Sequence, residues 1–249
     1  MTVHFVGAGP GAADLLTVRA TRLLAAAEVV LYPGTYLDPG VLNQVSPAAE
    51  LVDTQDLDLD QITACLVAVH RRGQDVVRLA SGDLSLYSAL AEQTRRLDSA
   101  GVPWDVTPGV PAYAAAAAAL GRELTVPLVA QSVVLTRAQA RSTRMPASES
   151  LGAFAATRAT LVLHLAVTRT RELMAELEPH YGADCPVAVV YRASQPGELV
   201  LSGTVATIAD TVEQANLRQA AVILVGQVLD LSRGGESYLY DVARERPPR

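Results

Sequence analysis

Three glycine-containing stretches, each placed directly after an apolar run typical of a β-strand, are the first candidates for chemistry. In the earliest of them, VGAGPGAADLLT, Gly7, Gly9 and Ala12 match the loose spacing Gly-x-Gly-x-x-Gly/Ala of dinucleotide-binding loops. The other two are SGDLSLYS and TPGVPA, at residues 81–88 and 107–112. Glycine allows main chain to approach a ligand closely, and ligands bind at the carboxyl ends of parallel strands. The three loops therefore predict a site made largely of backbone.

The first loop does not meet the requirements of a dinucleotide site. The helical periodicity begins near Thr17, well beyond Ala12, whereas a pyrophosphate needs the helix to start at the loop itself. The second apolar run, EVVLY, is followed by Pro33 and Gly34 instead of an acidic residue that could hold a ribose. Pro10 also removes a backbone donor from the loop. A ligand-facing turn of another kind is favoured, with a purely structural tight turn as the alternative.

Charge and composition exclude several chemistries. The formal net charge is -6 and the pI about 5.2, which argues against general nucleic-acid binding. All 20 Lys and Arg positions are arginine, so a Schiff-base, pyridoxal or P-loop lysine is absent. Cationic contacts to a ligand must come from arginine, a terminus or a protonated histidine. Arginine is also the side chain that clamps carboxylates in bidentate fashion.

Metal and membrane sites are not expected. Cys65 and Cys185 are isolated, and the four histidines form no metal-ligand spacing, which predicts neither a disulfide framework nor a metal centre. The first residues lack a basic segment followed by a long apolar one, and no run of 18 residues is uniformly apolar. We expect a cytoplasmic protein without a membrane span.

The alternation of apolar strand-like runs with helical patterns predicts an α/β fold. Nearly continuous apolar strands indicate mainly parallel sheets that are covered on both faces. The expected division is an N-terminal α/β domain at 1–112 and a C-terminal α/β domain at 113–249. One segment, ELVLSGTV at 198–205, follows a Gln-Pro-Gly turn and is expected to run antiparallel.

Five stretches in this order resemble the tetrapyrrole methyltransferases, which are S-adenosylmethionine enzymes of cobalamin and siroheme synthesis. The resemblance covers nearly the whole chain, from about residue 2 to residue 230. The stretches are VGAGPGAADLLT, RLASGDLSLYSALAEQ, TPGVPAYAAAAAALGRELT, PVAVVYRASQPGE and AAVILVGQVL, at residues 6–17, 78–93, 107–125, 186–198 and 220–229. Each motif is modest alone, and their shared order makes the resemblance specific.

The resemblance implies a homodimer of two-domain chains with S-adenosylmethionine in a cleft between the α/β domains. The substrate would be a tetrapyrrole carrying many carboxylates. The family's cofactor contacts fall here on Pro10, on Ser81, Gly82, Asp83 and Leu86, on Pro111 and Ala112, and on Leu165, Ala193 and Ala221. No metal is implied, since the sulfonium of the cofactor is already an activated methyl donor.

Catalytic and substrate-binding candidates follow from this chemistry. Asp83 is a candidate general base, with loop capping as the alternative, and Tyr87 is a candidate orienting hydroxyl, with packing under the adenosine as the alternative. The arginines expected to bind substrate carboxylates, or else to be solvated surface groups, are Arg78, Arg122 and Arg192, with Arg137 and Arg141 nearby. His164 is expected to be a core histidine.

The sequence departs from the family at several positions. Gly-Asp-Pro is Gly-Asp-Leu here, Tyr-Gly is Tyr-Ser, and a Ser-Ser pair is replaced by Pro111 and Ala112, which removes two hydroxyls. Tyr36 adds bulk to the loop at 33–40, which would shape the substrate trough. Three alternatives stay open: a family member acting on another ring carbon or on a cobalt-containing precursor, a nucleotide-dependent oxidoreductase, and a tetrapyrrole carrier without catalysis.

Overall fold

The computed structural model describes residues 1–34, 37–138, 144–240 and 244, without the side chain of Leu239. The chain forms two compact units. The first contains Met1–Ala115 together with Arg192–Gly197, and the second contains Ala116–Tyr191 together with Glu198–Arg249. The short insertion of six residues into the first unit has no signal in the residue pattern.

The first unit contains a five-stranded parallel sheet. Its strands are β1 (Val3–Gly7), β2 (Val29–Tyr32), β3 (Glu50–Asp53), β4 (Val76–Ala80) and β5 (Trp104–Thr107). They are arranged in the order β3-β2-β4-β1-β5, and all four pairings are parallel. The register aligns Gly7 with Ala80, and Val6 with Thr107. The three glycine-containing loops therefore leave one edge of the sheet side by side, as the sequence predicts.

The second unit contains a mixed sheet of five strands. They are β6 (Val133–Arg137), β7 (Thr160–His164), β8 (Pro186–Tyr191), β9 (Leu199–Thr204) and β10 (Ala221–Val225). The order is β6-β7-β10-β8-β9, and only β6 and β7 pair in parallel. The antiparallel direction predicted for β9 is confirmed. The expectation of mainly parallel pairing is wrong in this sheet, because β10 inserts antiparallel between β7 and β8.

Eight α-helices are described. They are α1 (Val18–Ala26), α2 (Pro39–Leu42), α3 (Leu59–Arg71), α4 (Leu90–Ser99), α5 (Ala112–Leu120), α6 (Leu151–Ala155), α7 (Thr170–Tyr181) and α8 (Ile208–Gln214). Thr17 caps α1 by accepting from the Ala20 N–H, which confirms the late helix start. Strand β3 and helix α3 are not among the elements predicted from the sequence. Asp58 and Gln61 form a capping box at the start of α3, a signal that was available in the sequence.

Apolar side chains cover both faces of the first sheet. One layer gathers Phe5, Leu31 and Val76 with Leu66 of α3 and Leu97 of α4. On the opposite face, the intervening apolar residues of the strands pack against α1. A separate core in the second unit packs α7 and α8 on its mixed sheet. The alternation along β1 thus buries both faces, which leaves the strand ends as the place for a site.

Candidate functional site

Backbone hydrogen bonds tie the first two glycine-containing loops together. The N–H of Gly9 donates to the Gly82 carbonyl at 3.1 Å, and the N–H of Gly82 donates back to the Gly9 carbonyl at 2.8 Å. Ala8 continues the pairing from β1 by donating to Ala80 at 2.8 Å. Both glycines adopt the left-handed backbone conformation, with φ of 73° and 71°, which costs glycine little. The loops form one connected piece of main chain.

The third loop packs against the other two without room for a side chain. A Cβ on Gly7 would lie 2.5 Å from the Gly109 nitrogen and 2.8 Å from the Gly82 carbonyl oxygen. A Cβ on Gly109 would overlap the same Gly82 oxygen. Glycine is required at both positions because the neighbours are backbone atoms, which cannot rotate away.

Asp83 fastens the second loop to the third. Its Oδ2 accepts from the Gly109 N–H at 2.8 Å, and its Oδ1 accepts from the backbone N–H of Ser85 at 2.9 Å and from the Ser85 hydroxyl. Burial acts to raise the pKa of Asp83, but the bonds from Ser85, Gly109 and Leu84 outweigh it and hold the pKa below its ordinary value. These contacts favour the loop-capping interpretation, since a carboxylate so stabilised is a weak base.

The rest of the second loop presents a strained, partly exposed surface. Tyr87 and Ala89 both have left-handed backbone, with φ of 53° and 55°. Tyr87 is 46% exposed, Ser81 is exposed and Leu86 is half-buried. Left-handed non-glycine residues occur where the surrounding structure imposes them, often at ligand sites. The loop is thus available to a ligand on the face that carries Tyr87.

The remaining predicted cofactor residues of the first unit lie on the flanking segments. Pro10 is buried in the first loop and Ala193 is buried in the 192–197 segment. Pro111 precedes α5 and Ala112 is its first residue, with a nitrogen that would be 3.9 Å from a Cβ on Gly82. Neither residue supplies a hydroxyl, so the backbone is what this segment offers to a ligand.

Other predicted residues belong to the second unit. Leu165 follows β7 directly, is 50% exposed and is left-handed, with φ of 51°. Ala221 is the first residue of β10 and pairs with Tyr191, the last residue of β8. Arg122 donates from Nε to the Leu229 carbonyl at 3.3 Å. Leu165 and Ala221 share one edge of the mixed sheet, because β10 runs antiparallel to β7.

Arg78 has an interior position that the sequence did not indicate. Its Nε donates to Gln93 Oε1 at 3.2 Å, and its Nη1 donates to Thr54 Oγ1 and to the Leu79 carbonyl, both at 3.1 Å. Thr54 and Gln93 are 4% and 3% exposed. All of these partners are neutral, and burial lowers the pKa of Arg78 to about 10. The arrangement favours a role inside the first unit over one in binding substrate carboxylates.

We expect Arg78→Met to lower the free energy of unfolding by about 1–3 kcal/mol, because the buried Gln93 Oε1 loses its donor and Thr54 Oγ1 keeps only its bond to the Tyr32 carbonyl. The KM for the tetrapyrrole should stay within about twofold of its original value, since no substrate contact is lost. Thermal denaturation and steady-state kinetics measure the two effects. Arg72→Met, which removes a half-exposed arginine paired with Glu50, is the control. A raised substrate KM at unchanged stability would instead show that Arg78 binds substrate.

His164 is also among the predicted residues that the structure describes. Burial lowers the pKa of His164 at the end of β7, as expected for a core histidine. In the described ranges, no group of three or more His, Cys, Asp or Glu side chains could hold a metal ion. No helix in the same ranges is long and apolar enough to cross a membrane. Tyr36 and Arg141 lie outside the described residues.

The chain belongs to the family of Tetrapyrrole (Corrin/Porphyrin) Methylases, which matches residues 2–209. It is 53% identical, over 99% of both chains, to a precorrin-4 C(11)-methyltransferase of Rhodococcus erythropolis. A solved cobalt precorrin-4 methyltransferase is 37% identical, with a TM-score of 0.89 over 92% of this chain and 96% of that one. A uroporphyrin-III C-methyltransferase of Thermus thermophilus, solved with S-adenosylhomocysteine, is 30% identical, with a TM-score of 0.78 over 95% and 97%.

The loops of the first unit fit the cofactor of such an enzyme. S-adenosylmethionine carries an amino acid group, a ribose and an adenine, which can be bound by backbone N–H and carbonyl groups without cationic side chains. The Gly9–Gly82 pairing and the Asp83–Gly109 bond hold that backbone in a defined shape before any ligand arrives. Such preorganised main chain suits a small polar ligand.

Proposed function

We infer that this protein methylates precorrin-4 at C11 with S-adenosylmethionine as the donor, giving precorrin-5 in cobalamin biosynthesis. The observation that carries the inference is the 53% identity to a precorrin-4 C(11)-methyltransferase over 99% of both chains. The first-unit loops agree with it, because they form a backbone site at the edge where α/β sheets bind ligands. The stretches SGDLSLYSALAEQTRRLD and ALGRELT also resemble that member of the family in particular.

The reaction needs no covalent bond between the protein and the transferred methyl group. The carbon–sulfur bond of the sulfonium breaks with its electron pair left on sulfur, and an enamine carbon of the tetrapyrrole forms the new carbon–carbon bond. The protein must hold the ring carbon in line with the methyl group at near-attack distance. A base is needed only to collect the proton that the ring releases. Positioning is therefore the main task of the described loops.

We propose roles for the site residues on this basis. In the first unit, the backbone of residues 81–86, with Pro10, Ala112 and Ala193, contacts the cofactor. For Leu165 and Ala221, which belong to the second unit, a cofactor contact stays a prediction. Asp83 acts by fixing the loop, as its three hydrogen bonds suggest. Tyr87, which is left-handed and half-exposed, packs against the adenosine or orients the substrate through its hydroxyl.

We propose that Arg122 and Arg192 bind substrate carboxylates. Each uses its Nε for an internal contact, Arg122 to the Leu229 carbonyl and Arg192 to Gln195 Oε1 at 3.0 Å. A guanidinium anchored through Nε can turn its two terminal nitrogens toward a carboxylate in the bidentate arrangement. Arg78 is assigned to the interior of the first unit instead.

The nearest alternative concerns the metal content of the substrate. The solved cobalt precorrin-4 methyltransferase is 37% identical to this chain, well below the 53% of the precorrin-4 enzyme, which favours the metal-free substrate. A family member of other regiospecificity and a carrier without catalysis are the remaining alternatives. The oxidoreductase alternative is disfavoured by the family assignment and by the late start of α1.

Incubation with precorrin-4 and methyl-labelled S-adenosylmethionine tests the function. We expect a single labelled methyl group at C11, located by NMR, and slower turnover of cobalt-precorrin-4 in a parallel reaction. S-adenosylhomocysteine should raise the thermal midpoint of the protein. A methyl group at another carbon would favour a family member of other regiospecificity. Tetrapyrrole binding without turnover, and without a shift of the thermal midpoint by S-adenosylhomocysteine, would favour the carrier.

We also propose that the protein acts as a homodimer in the cytoplasm, as the family resemblance implies. Large exposed apolar side chains in the second unit support a subunit contact, because such a contact would remove them from water. Leu128 is 92% exposed and lies beside Gly235. Leu231 and Tyr238, which are close to Gly235 in the sequence, are 77% and 67% exposed. Light scattering of the intact chain would contradict this proposal by giving the mass of a monomer, 26.2 kDa.

A further inference from the structure

The segment 192–197 contacts the first glycine-containing loop through two side chains. Gln195 Nε2 donates to the Pro10 carbonyl at 2.6 Å, although the two residues are 185 positions apart. Ser194 Oγ accepts from the Ala12 N–H at 3.2 Å. Both contacts lie within the first unit, which includes this segment. The loop that carries Pro10 is therefore held from outside its own half of the chain.

Gln195 has a second contact, to Arg192. Its Oε1 accepts from the Arg192 Nε at 3.0 Å, while its Nε2 donates to Pro10. The amide thus uses its acceptor for one neighbour and a donor for the other. Because the side chain is half-buried, an alternative partner from bulk water is less accessible on either side. One amide group connects a cation to the backbone of the Pro10 loop.

The backbone conformation of residues 192–197 places Gln195 against the Pro10 loop. Arg192 and Ser194 are both left-handed, with φ of 49° and 66°, and the Gln195 N–H closes the turn on the Arg192 carbonyl at 2.9 Å. Left-handed arginine and serine cost energy that the surrounding contacts must offset. This turn carries Gln195 over the loop.

Gly11 shows how closely the side chain approaches. Its φ is +151°, and a Cβ there would overlap Gln195 Cγ and lie 2.6 Å from Nε2. The loop therefore accommodates Gln195 only because residue 11 has no side chain. Pro10 and Gly11 are both buried, so the contact lies in the packed part of the loop.

We propose that Gln195 is a positioning residue that fixes the Pro10 loop and the Arg192 guanidinium together. The inference rests on the proposed function, in which the loop borders S-adenosylmethionine and Arg192 binds a carboxylate of the tetrapyrrole. In that setting, the Nε2 contact governs cofactor affinity and the Oε1 contact governs substrate affinity. No mobile element is needed, because a single amide holds both neighbours in place.

Two substitutions separate the contacts. Gln195→Glu keeps an acceptor for Arg192 but removes the donor to Pro10, whereas Gln195→Met keeps the length and removes both. We expect Q195E to weaken S-adenosylhomocysteine binding about tenfold, as loss of one buried hydrogen bond would. Its KM for the tetrapyrrole should stay within about twofold of the original. Q195M should raise both the dissociation constant and that KM by about tenfold.

The matched control is Gln74→Met. Gln74 also accepts from an arginine Nε, that of Arg72 at 2.8 Å, but this hydrogen bond is exposed, whereas that of Gln195 is partly buried. Q74M should change neither the dissociation constant of S-adenosylhomocysteine nor the KM for the tetrapyrrole. Q74M and Q195E should both keep the original thermal midpoint within a few degrees. If Q195M fails to fold, Q195E still tests the donor to Pro10.

A second readout does not depend on the function. Amide hydrogen exchange of the ligand-free protein should speed up at Ala12 in Q195E and Q195M, because its bond to Ser194 belongs to the same contact. Unchanged exchange at Ala12, or unchanged S-adenosylhomocysteine affinity in both variants, would overturn the proposal. If the original protein itself binds no S-adenosylhomocysteine, the proposed function fails, and the exchange rates alone decide whether Gln195 positions the loop.

Discussion

Gly109→Ala is expected to disrupt the three-loop edge of the first sheet and to abolish measurable binding of S-adenosylhomocysteine. The new Cβ would overlap the Gly82 carbonyl oxygen and lie 2.8 Å from the Gly7 carbonyl carbon. Both obstacles are main-chain atoms, Gly7 fixed by the pairing of β1 with β4 and Gly82 by its bonds with Gly9, so the loops must separate. We expect the free energy of unfolding to fall by about 3 kcal/mol, the upper part of the range for overpacking. Thermal denaturation and calorimetric titration measure the two effects.

Gly152→Ala is the matched control for this substitution. A Cβ there meets no atom closer than the Glu176 Oε1 at 3.8 Å, and residue 152 is in helix α6. Alanine in a helix is favoured over glycine, so stability should be unchanged or rise by about 0.5–1 kcal/mol. If G109A kept the original midpoint and the original affinity, the close packing of Gly7, Gly82 and Gly109 would have no bearing on the site.

Asp83→Asn is expected to weaken S-adenosylhomocysteine binding by at least about tenfold, with a loss of about 1.5–3 kcal/mol of loop stability. The carboxylate accepts from the Gly109 N–H on one oxygen and from Ser85 on the other. An asparagine has one acceptor oxygen, so its NH2 group must face a donor on one side in either orientation. Titration calorimetry gives the affinity, and denaturation gives the stability.

The pH dependence of stability provides an independent check. The folded pKa of Asp83 lies below the unfolded value of about 3.9, so its contribution is fully present above that value. The contribution is lost as the pH falls through the folded pKa. The thermal midpoints of the original protein and of D83N should therefore differ at pH 7 and converge below about pH 4. A difference that stays constant down to pH 3 would contradict this origin.

Asp230→Asn is the control, because Asp230 has the same Asp-x-Ser arrangement in the second unit. Its Oδ1 accepts from the Ser232 N–H at 3.0 Å and from the Ser232 hydroxyl at 2.7 Å, and its Oδ2 accepts from Arg233. It has no bond corresponding to that of Gly109, so D230N should leave S-adenosylhomocysteine affinity intact. If D83N instead kept full affinity and lost only kcat, Asp83 would be the base and the loop-fixing role would be wrong.

The sequence predicts the first unit better than the second for a physical reason. In the first sheet each of the loops at the ligand edge follows a short apolar strand, and parallel pairing gathers those strand ends at one edge. In the second sheet, β7, β8 and β10 are equally apolar, so their residues carry no information on direction. The position of β10 between β7 and β8 depends on contacts made after the strands have formed.

Individual site residues show the same division. The three glycine-containing loops could be selected from the sequence because glycine after a strand indicates a turn with positive φ or a close approach of backbone. Arg78 could not be assigned, since the pattern does not reveal that Gln93 of α4 lies over it. Gln195 was missed entirely, because a contact between positions 185 apart leaves no trace in spacing.

The insertion of residues 192–197 into the first unit has a consequence for how the protein is made. Residues 1–115 contain all five strands of the first sheet and can pair as they leave the ribosome. The Pro10 loop, however, lacks its outer contacts until Ser194 and Gln195 have been synthesised. A nascent or truncated chain can therefore have a complete N-terminal sheet with an unfinished ligand loop. From the proposed contact of this loop with the cofactor, we expect competence to bind the methyl donor to arise late in translation.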